Sequence, residues 1–120
     1  MPTNSDVLKD KLSKANEIKL SVTGRKSGRT ISNPVWFVLE EDKLYLLPVK
    51  GSETQWYKNV LKKPAIRIER GSAGAEFEVS TITGAKEVSS VVEKFREKYG
   101  ASDVKKYYSK LDVAVLAMIS

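Results

Sequence analysis

A glycine-rich basic segment is the part of this sequence whose residue types and spacing are best suited to chemistry. It consists of Thr23, Gly24, Arg25, Lys26, Ser27, Gly28 and Arg29, with no acid among them. Glycine permits positive φ and close approach of a ligand, and the backbone N–H groups of such a turn can surround an anion. Arginine holds phosphate through paired hydrogen bonds, and lysine adds a compact charge. The segment therefore suits a phosphate monoester or a polyanionic tail, although a solvated basic hairpin tip fits the spacing equally well.

Two residue types that often carry chemistry are missing. None of the 120 residues is Cys or His. Without Cys there is no disulfide, thiolate nucleophile or iron–sulfur cluster, and without His there is no Ser–His or Cys–His catalysis and no imidazole metal ligand. We therefore expect no metal site, and if the protein is an enzyme, a bound cofactor carries the difficult step.

The positive charge is concentrated in the middle of the chain. Lys and Arg number 21 against 15 Asp and Glu, a net charge of +6. Residues 1–17 and residues 71–120 are each balanced, so the whole excess lies in residues 18–70, with eleven basic and five acidic side chains. A local excess of this kind indicates an anionic partner, and a basic face kept for solubility is the alternative.

The start of the chain and its hydropathy predict a soluble, cytoplasmic protein. Residues 1–4 lack the basic and apolar regions of a signal peptide. The longest apolar run, residues 113–119, is far shorter than the ~20 residues of a membrane-spanning helix.

Period-two alternation and turn residues predict six strands. They contain residues 18–22, 30–39, 44–49, 66–68, 77–83 and 113–119. Pro34 lies inside the second strand, which indicates an edge strand or a bulge. The short connections between the first three strands predict an antiparallel meander.

Capping residues and helical spacing predict short flanking helices. One begins at residues 4–6, one has Ser52 as N-cap with Gln55 at N3, one follows a capping box at Ser90 and ends at Gly100, and one is capped by Ser102. We expect a single, mainly β domain over residues 1–120, with an N-terminal helix (1–17), a six-stranded antiparallel β-barrel core with a short helix (18–83), and helices with the last strand (84–120).

Several motifs resemble the deazaflavin-dependent nitroreductase family. Residues 20–29, Leu-Ser-Val-Thr-Gly-Arg-Lys-Ser-Gly-Arg, followed by residues 33–37, Asn-Pro-Val-Trp-Phe, are similar to its L-T-T-x-G-R-K-S-G-x and P-L/V-x-F motifs. Residues 56–60, Trp-Tyr-Lys-Asn-Val, are similar to its W-Y-x-N-L helix. The C-terminal half is similar in layout, with Tyr108 four residues before Asp112.

This resemblance implies a fold, a cofactor and a reaction. The fold would be a split β-barrel with short flanking helices, like that of the pyridoxamine phosphate oxidase group, in which homodimers are common. The cofactor would be reduced coenzyme F(420), a deazaflavin with a phosphate and an oligoglutamate tail. Hydride would pass from the deazaflavin to a quinone, a nitro compound or an activated alkene, so we expect an anionic flavin-type cofactor and a small-molecule acceptor as partners.

The resemblance also implies roles for individual residues. The basic segment would hold the phosphate and tail, with Lys50 at the end of the third strand as a further cation. The ring would lie against Pro34, Val35, Trp36, Pro48 and Val49, with Trp56 and Asn59 on one face of a short helix beside it. Tyr108 would donate a proton to the reduced acceptor. Ordinary packing is the alternative for both tryptophans and for Tyr108.

Three other functions compete with this reading. A related barrel that binds FMN also needs a basic phosphate site. A nucleic-acid-binding barrel of OB type would stack bases on Trp36, Phe37 and Tyr45, but the motifs argue against it, and we expect no nucleic acid partner. A barrel without cofactor that merely dimerises is the last alternative.

Overall fold

The computed structural model describes residues 4–71 and 73–119. The elements in chain order are α1 (Asn4–Ser13), β1 (Ile18–Thr23), β2 (Thr30–Val35), β3 (Phe37–Glu40), β4 (Lys43–Leu46), a 3-10 turn (Gly51–Glu53), α2 (Gln55–Lys62), β5 (Ala65–Arg70), β6 (Ala73–Ile82), α3 (Ala85–Tyr99), α4 (Ala101–Tyr107) and β7 (Ala114–Met118).

The strands form one antiparallel sheet in the order β2-β1-β5-β6-β7-β4-β3. The two ends of this order, β2 and β3, are consecutive in the chain and separated by Trp36 alone. The sheet therefore curls into a half-barrel, because its first and last strands meet at one residue. The prediction of a mainly β, antiparallel barrel with flanking helices is confirmed.

The prediction of six strands is wrong by one, because the strand predicted over residues 30–39 changes partner midway. Val35 pairs with Ile18 of β1, whereas Phe37 pairs with Leu46 of β4. The break at Trp36 divides one long strand into β2 and β3 while keeping the predicted meander. Pro34 lies in an edge strand, as predicted, where a missing N–H costs no sheet hydrogen bond.

The interior of the curled sheet is the larger of two cores. Inward-facing residues of β1 and β7 alternate with outward ones, and Leu20, Phe37, Ile68 and Val115 are almost completely buried. A second core lies between α3, α4 and the outer face of β3 and β4, and includes Leu47, Val92, Phe95, Val104 and Tyr108. The helices α3 and α4 are thus attached where β2 passes into β3, and this junction positions the candidate site.

Ser52 does not cap α2 as its spacing predicts. Its backbone N–H and hydroxyl donate to the carboxylate of Asp112, at 2.9 and 2.7 Å. Thr54 is the N-cap instead, and its hydroxyl accepts the backbone N–H of Lys50 at 2.8 Å. Gly51, with φ of 56°, lies so close to Asp112 that a Cβ there would overlap the carboxylate. A long-range contact has therefore replaced the predicted local cap.

The predicted starts of the last two helices are also wrong. The helix α3 begins at Ala85, five residues before Ser90, because Val88 packs on the second core together with Val91 and Val92. The helix α4 begins at Ala101, so Ser102 lies within it. Gly100 ends α3 with φ of 97°, as predicted.

No helix in residues 4–71 and 73–119 has the length and apolar character needed to cross a membrane.

Candidate functional site

The turn between β1 and β2, residues 24–29, is held by its own backbone. The N–H of Gly24 donates to the carbonyl of Arg29 at 2.7 Å, and the N–H of Gly28 donates to the carbonyl of Gly24 at 2.9 Å. The N–H of Arg29 donates to the Ser27 hydroxyl at 3.2 Å. Gly28 has φ of 72°, a conformation that strongly favours glycine. The local geometry therefore explains the two glycines and the serine of the motif.

Arg25 is turned from the loop onto the helix α2. Its backbone N–H and its Nη1 both donate to Oδ1 of Asn59, at 3.1 and 2.8 Å, and its Nη2 donates to Oε1 of Gln55 at 2.8 Å. Asn59 is only 3% exposed. The guanidinium thus fastens the turn to α2.

Lys26 and Ser27 supply the unused donors of this turn. Their backbone N–H groups have no acceptor in the described part of the chain, in contrast to those of the four other residues of the turn. The side chains of Lys26 and Arg29 are exposed and form no ion pair with any described residue. Two adjacent N–H groups beside two unpaired cations can hold an anion, and we call this arrangement the anion cradle.

An apolar cleft of about 350 Å³ opens at the other end of β2. It is lined by Glu17, Pro34, Val35, Trp36, Leu47, Val49, Tyr107 and Tyr108. The volume lies at the small end of the range for ligand sites, and the lining is mostly aromatic and aliphatic with one acid, as such sites usually are. The cleft can take one flat ring or a similarly small molecule.

Tyr99 fixes the indole ring of Trp36 in this cleft. The two rings are stacked, with centroids 4.2 Å apart and planes 8° apart. The Tyr99 hydroxyl accepts the backbone N–H of Phe37 at 3.1 Å and lies 2.8 Å from the carbonyl oxygens of Asn16 and Phe37, to which it donates. Burial, opposed by the bond to Phe37, raises the pKa of Tyr99 to about 12. Neutral Tyr99 therefore joins α3 to the start of β3 and to the segment that precedes β1.

The two tyrosines at the end of α4 complete the aromatic wall. The ring of Tyr107 meets Trp36 edge to face, with centroids 5.4 Å apart, and is 51% exposed. The ring of Tyr108 is tilted against Trp36 at 6.1 Å and is nearly buried. Burial raises the pKa of Tyr108 well above its ordinary value, so its hydroxyl keeps its proton at neutral pH.

Lys98 contacts Phe37 outside the lining of the cleft. Its Nζ donates to the Phe37 carbonyl at 2.8 Å and lies 3.6 Å from the centroid of the Phe37 ring. Removal of the ammonium group from water lowers the pKa of Lys98 to about 8. The backbone at the junction of β2 and β3 is thus held by two side chains of α3.

The structure divides the predicted site residues into three groups. Residues 23–29 lie together with Asn59 around the turn, and Pro34, Val35, Trp36, Val49 and Tyr108 lie together in the cleft. Pro48 is buried and Trp56 is packed in the barrel core, outside the lining of the cleft. Lys50 is exposed and pairs through its backbone with Lys110.

Sequence reasoning missed Glu17, Leu47, Tyr99 and Tyr107. Tyr99 carried a usable signal, because its helical spacing from Phe95 placed it on the buried face of α3. Glu17 carried no such signal, because a lone acidic residue before a strand is common.

Among the described residues no group of three or more acidic side chains is placed to hold a metal ion.

Comparison with known proteins gives a family and a fold. The sequence model of the family described as "Uncharacterized protein conserved in bacteria (DUF2255)" matches residues 9–115. No curated protein matches the chain.

Similar solved structures include an F(420)-H(2)-dependent reductase, FDR-A, which is 20% identical with a TM-score of 0.65 over 85% of this chain and 93% of that one. They include the heme storage protein HutZ from Vibrio cholerae, 13% identical with a TM-score of 0.69 over 93% of this chain and 86% of that one. A heme-binding protein from Mycobacterium smegmatis is 12% identical with a TM-score of 0.67 over 98% of this chain and 51% of that one. At these identities the likeness shows the fold alone, which is the split barrel.

Proposed function

The chain belongs to the family described as uncharacterized protein conserved in bacteria (DUF2255), and we propose that it is an oxidoreductase that uses reduced coenzyme F(420). The acceptor is an electron-poor small molecule, such as a quinone, a nitro compound or an activated alkene. A split-barrel protein of known structure is described as an F(420)-H(2)-dependent reductase, which supports the choice of cofactor.

The observation that carries the proposal is the position of the anion cradle and the aromatic cleft at opposite ends of one strand. At about 3.3 Å per residue, the five steps from Thr30 to Val35 span about 17 Å. A ligand that uses both sites must be long, anionic at one end and flat at the other. A deazaflavin with a phosphate and an oligoglutamate tail has this form.

The distance between the anion cradle and the cleft favours F(420) over FMN. The cradle offers two backbone N–H groups, Lys26 and Arg29, which suit phosphate or carboxylate oxygens equally. FMN carries a single phosphate on a short chain, whereas the F(420) tail continues beyond its phosphate with further carboxylates. The distance along β2 is easier to span with the longer molecule, and FMN is kept as the alternative.

Hydride transfer requires positioning and exclusion of water more than acid–base groups of the protein. When bound, the cofactor supplies the hydride from its ring. Pro34 and Trp36 provide an apolar wall that orients a ring and keeps water away from it. Tyr108, which is neutral at pH 7, is proposed to hydrogen-bond the acceptor and to supply its proton. Because the cofactor supplies the hydride and the protein positions the ring and the acceptor, a chain without Cys or His can be a reductase.

A homodimer is part of the same proposal. Residues 30–34 of β2 are all exposed, although they form an edge strand of the sheet. Natural proteins seldom leave such an edge uncovered. Sedimentation velocity should give the mass of two chains, and a monomer at all concentrations would contradict this part.

Separate fluorescence titrations with F(420), FMN, heme and single-stranded DNA test the proposal. We expect saturable binding of F(420), followed by oxidation of F(420)H(2) when a quinone or nitro compound is added. Saturable binding of FMN without binding of F(420) would replace the proposal with its alternative. Selective binding of heme would overturn both, and would require an axial ligand other than His or Cys.

A further inference from the structure

Glu17 gives the aromatic cleft a negative charge. Of the residues that line the cleft, only Glu17 is charged. Its carboxylate forms no ion pair with any residue in the described part of the chain, which sets it apart from the paired acids Glu40, Glu53 and Glu69. An unneutralised carboxylate at the edge of an apolar cleft disfavours an anion there and favours a cation.

The position of Glu17 is fixed by the same side chain that fixes Trp36. The Tyr99 hydroxyl lies 2.8 Å from the carbonyl oxygen of Asn16, the residue next to Glu17, while the Tyr99 ring stacks on the indole. The charge of Glu17 also contributes to the raised pKa of Tyr99, so the carboxylate lies near the phenol. The carboxylate and the indole therefore both line one small cleft beside Tyr99.

The aromatic rings add a second attraction for cations. Ring faces attract ammonium groups, and a cage of aromatic rings is a common site for alkylated ammonium ligands. The chain itself places an ammonium group on this wall, because Nζ of Lys106 lies 5.3 Å from the centroid of the Tyr107 ring. Trp36, Tyr107 and Tyr108 together with Glu17 form a partial cage with a counter-charge.

We propose that the open side of this cleft, at Glu17 and the exposed ring of Tyr107, binds small organic cations beside the ring that Pro34 and Trp36 orient, and that the acceptor of the reductase is an N-alkylated heteroaromatic or iminium-type cation. The second half rests on the proposed function. A hydride that adds to a ring carbon of such a cation brings two electrons, the C=N⁺ bond pair moves to nitrogen, and the product is neutral. The two electrons come from the reduced deazaflavin, which also releases one proton to water; with this acceptor Tyr108 donates no proton and only lines the cleft. A neutral product loses its attraction to Glu17, which helps it leave.

A pair of isosteric ligands tests the cation preference without any cofactor. (3-Hydroxyphenyl)trimethylammonium and 3-tert-butylphenol have the same shape and differ in charge, and 3-hydroxybenzoate supplies an anion. The chain has two tryptophans, so the indole N–H signals in an NMR titration report Trp36 in the cleft and Trp56 in the barrel core. We expect only Trp36 to shift, with the cation bound about tenfold more tightly than its neutral isostere.

Two substitutions should act in opposite directions on this preference. Glu17→Gln should weaken binding of the cation about threefold, remove most of its salt dependence and leave 3-tert-butylphenol unchanged. Lys106→Gln should strengthen binding of the cation, because it removes a competing ammonium group. Glu78→Gln, which removes an exposed acid of β6 that does not line the cleft, is the matched control and should change the binding of neither ligand.

Equal binding of the cation and its isostere, or an unchanged ratio in Glu17→Gln, would overturn the cation site. The F(420) titration is an independent measurement on the same samples. Binding of F(420) without cation preference would leave the proposed function standing and remove this inference. Cation preference without binding of F(420) would retain the cleft as a cation site and remove its role in hydride transfer.

Discussion

One oxygen atom of Asn59 accepts two hydrogen bonds from Arg25, one from its backbone N–H at 3.1 Å and one from its guanidinium at 2.8 Å. This contact joins the turn at residues 24–29 to the helix α2 across 34 positions of sequence. Arg25, which the motif suggests as a ligand for phosphate, therefore acts in the structure as a positioning residue. The exposed cations Lys26 and Arg29 remain available for the proposed anion.

Asn59→Ala should destabilise the protein and loosen the turn. Asn59 is buried, so its removal leaves the backbone N–H of Arg25 without a partner and leaves Nη1 only its 3.5 Å bond to the Gln55 carbonyl, at a cost of about 1–3 kcal/mol. Urea unfolding followed by circular dichroism measures this change. Gln55→Ala is the matched control, since it removes an exposed acceptor of the same guanidinium and should cost less than about 1 kcal/mol. Equal losses in both variants would contradict a special role for Asn59.

Lys26→Gln combined with Arg29→Gln should weaken F(420) binding strongly, with most of the salt dependence lost. Both cations are exposed, and phosphate and carboxylate attraction at such sites is screened by salt. Affinity should be measured by fluorescence at low and high salt. Lys43→Gln combined with Lys86→Gln removes the same net charge from exposed positions outside the turn and should leave affinity nearly unchanged. A similar loss in both double variants would show a general charge effect instead of a local cradle.

The sequence predicts the strands well because alternation is a local property that a half-buried sheet demands. Ile18, Leu20 and Val22 face the core as their spacing indicates. The local sequence pattern could not predict that the 30–39 strand divides at Trp36, because the division arises from a change of partner strand from β1 to β4. Ser52 shows the same limit, because its hydroxyl bonds to Asp112, 60 positions away, and not to its own helix.

The two halves of the candidate site differ in how far the sequence could predict them. The turn consists of consecutive residues, so the sequence alone predicts its glycines and cations. The cleft is assembled from four distant parts of the chain, represented by Glu17, Trp36, Leu47 and Tyr107. No spacing links them, and they meet only because α3 and α4 pack against the junction of β2 and β3.

Tyr99→Phe should destabilise the protein while it preserves the stack on Trp36. The substitution removes the acceptor of the Phe37 N–H, and Phe37 is completely buried. Loss of such a bond costs about 1–3 kcal/mol. Tyr99→Leu removes the stack as well, so it should also shift Trp36 fluorescence to longer wavelength as water reaches the indole. Unaltered thermal stability of Tyr99→Phe would show that the hydroxyl bonds do not hold the junction.

Lys98 should make stability rise with pH in the alkaline range. Its pKa is about 8 in the folded protein and near its ordinary value of 10.5 in the unfolded chain. Between these values the unfolded chain binds more protons, so the free energy of unfolding increases as pH rises from 8 toward 10.5. Tyr99 acts in the opposite direction, because its raised pKa makes stability fall as pH rises above about 10. Urea unfolding at intervals from pH 7 to 10 should therefore show a rise that Lys98→Met abolishes. Lys86→Met, at a lysine of the same helix that forms no hydrogen bond or ion pair with any described residue, should retain the rise. A rise that persists in Lys98→Met would show that groups other than Lys98 cause it, and would contradict this prediction.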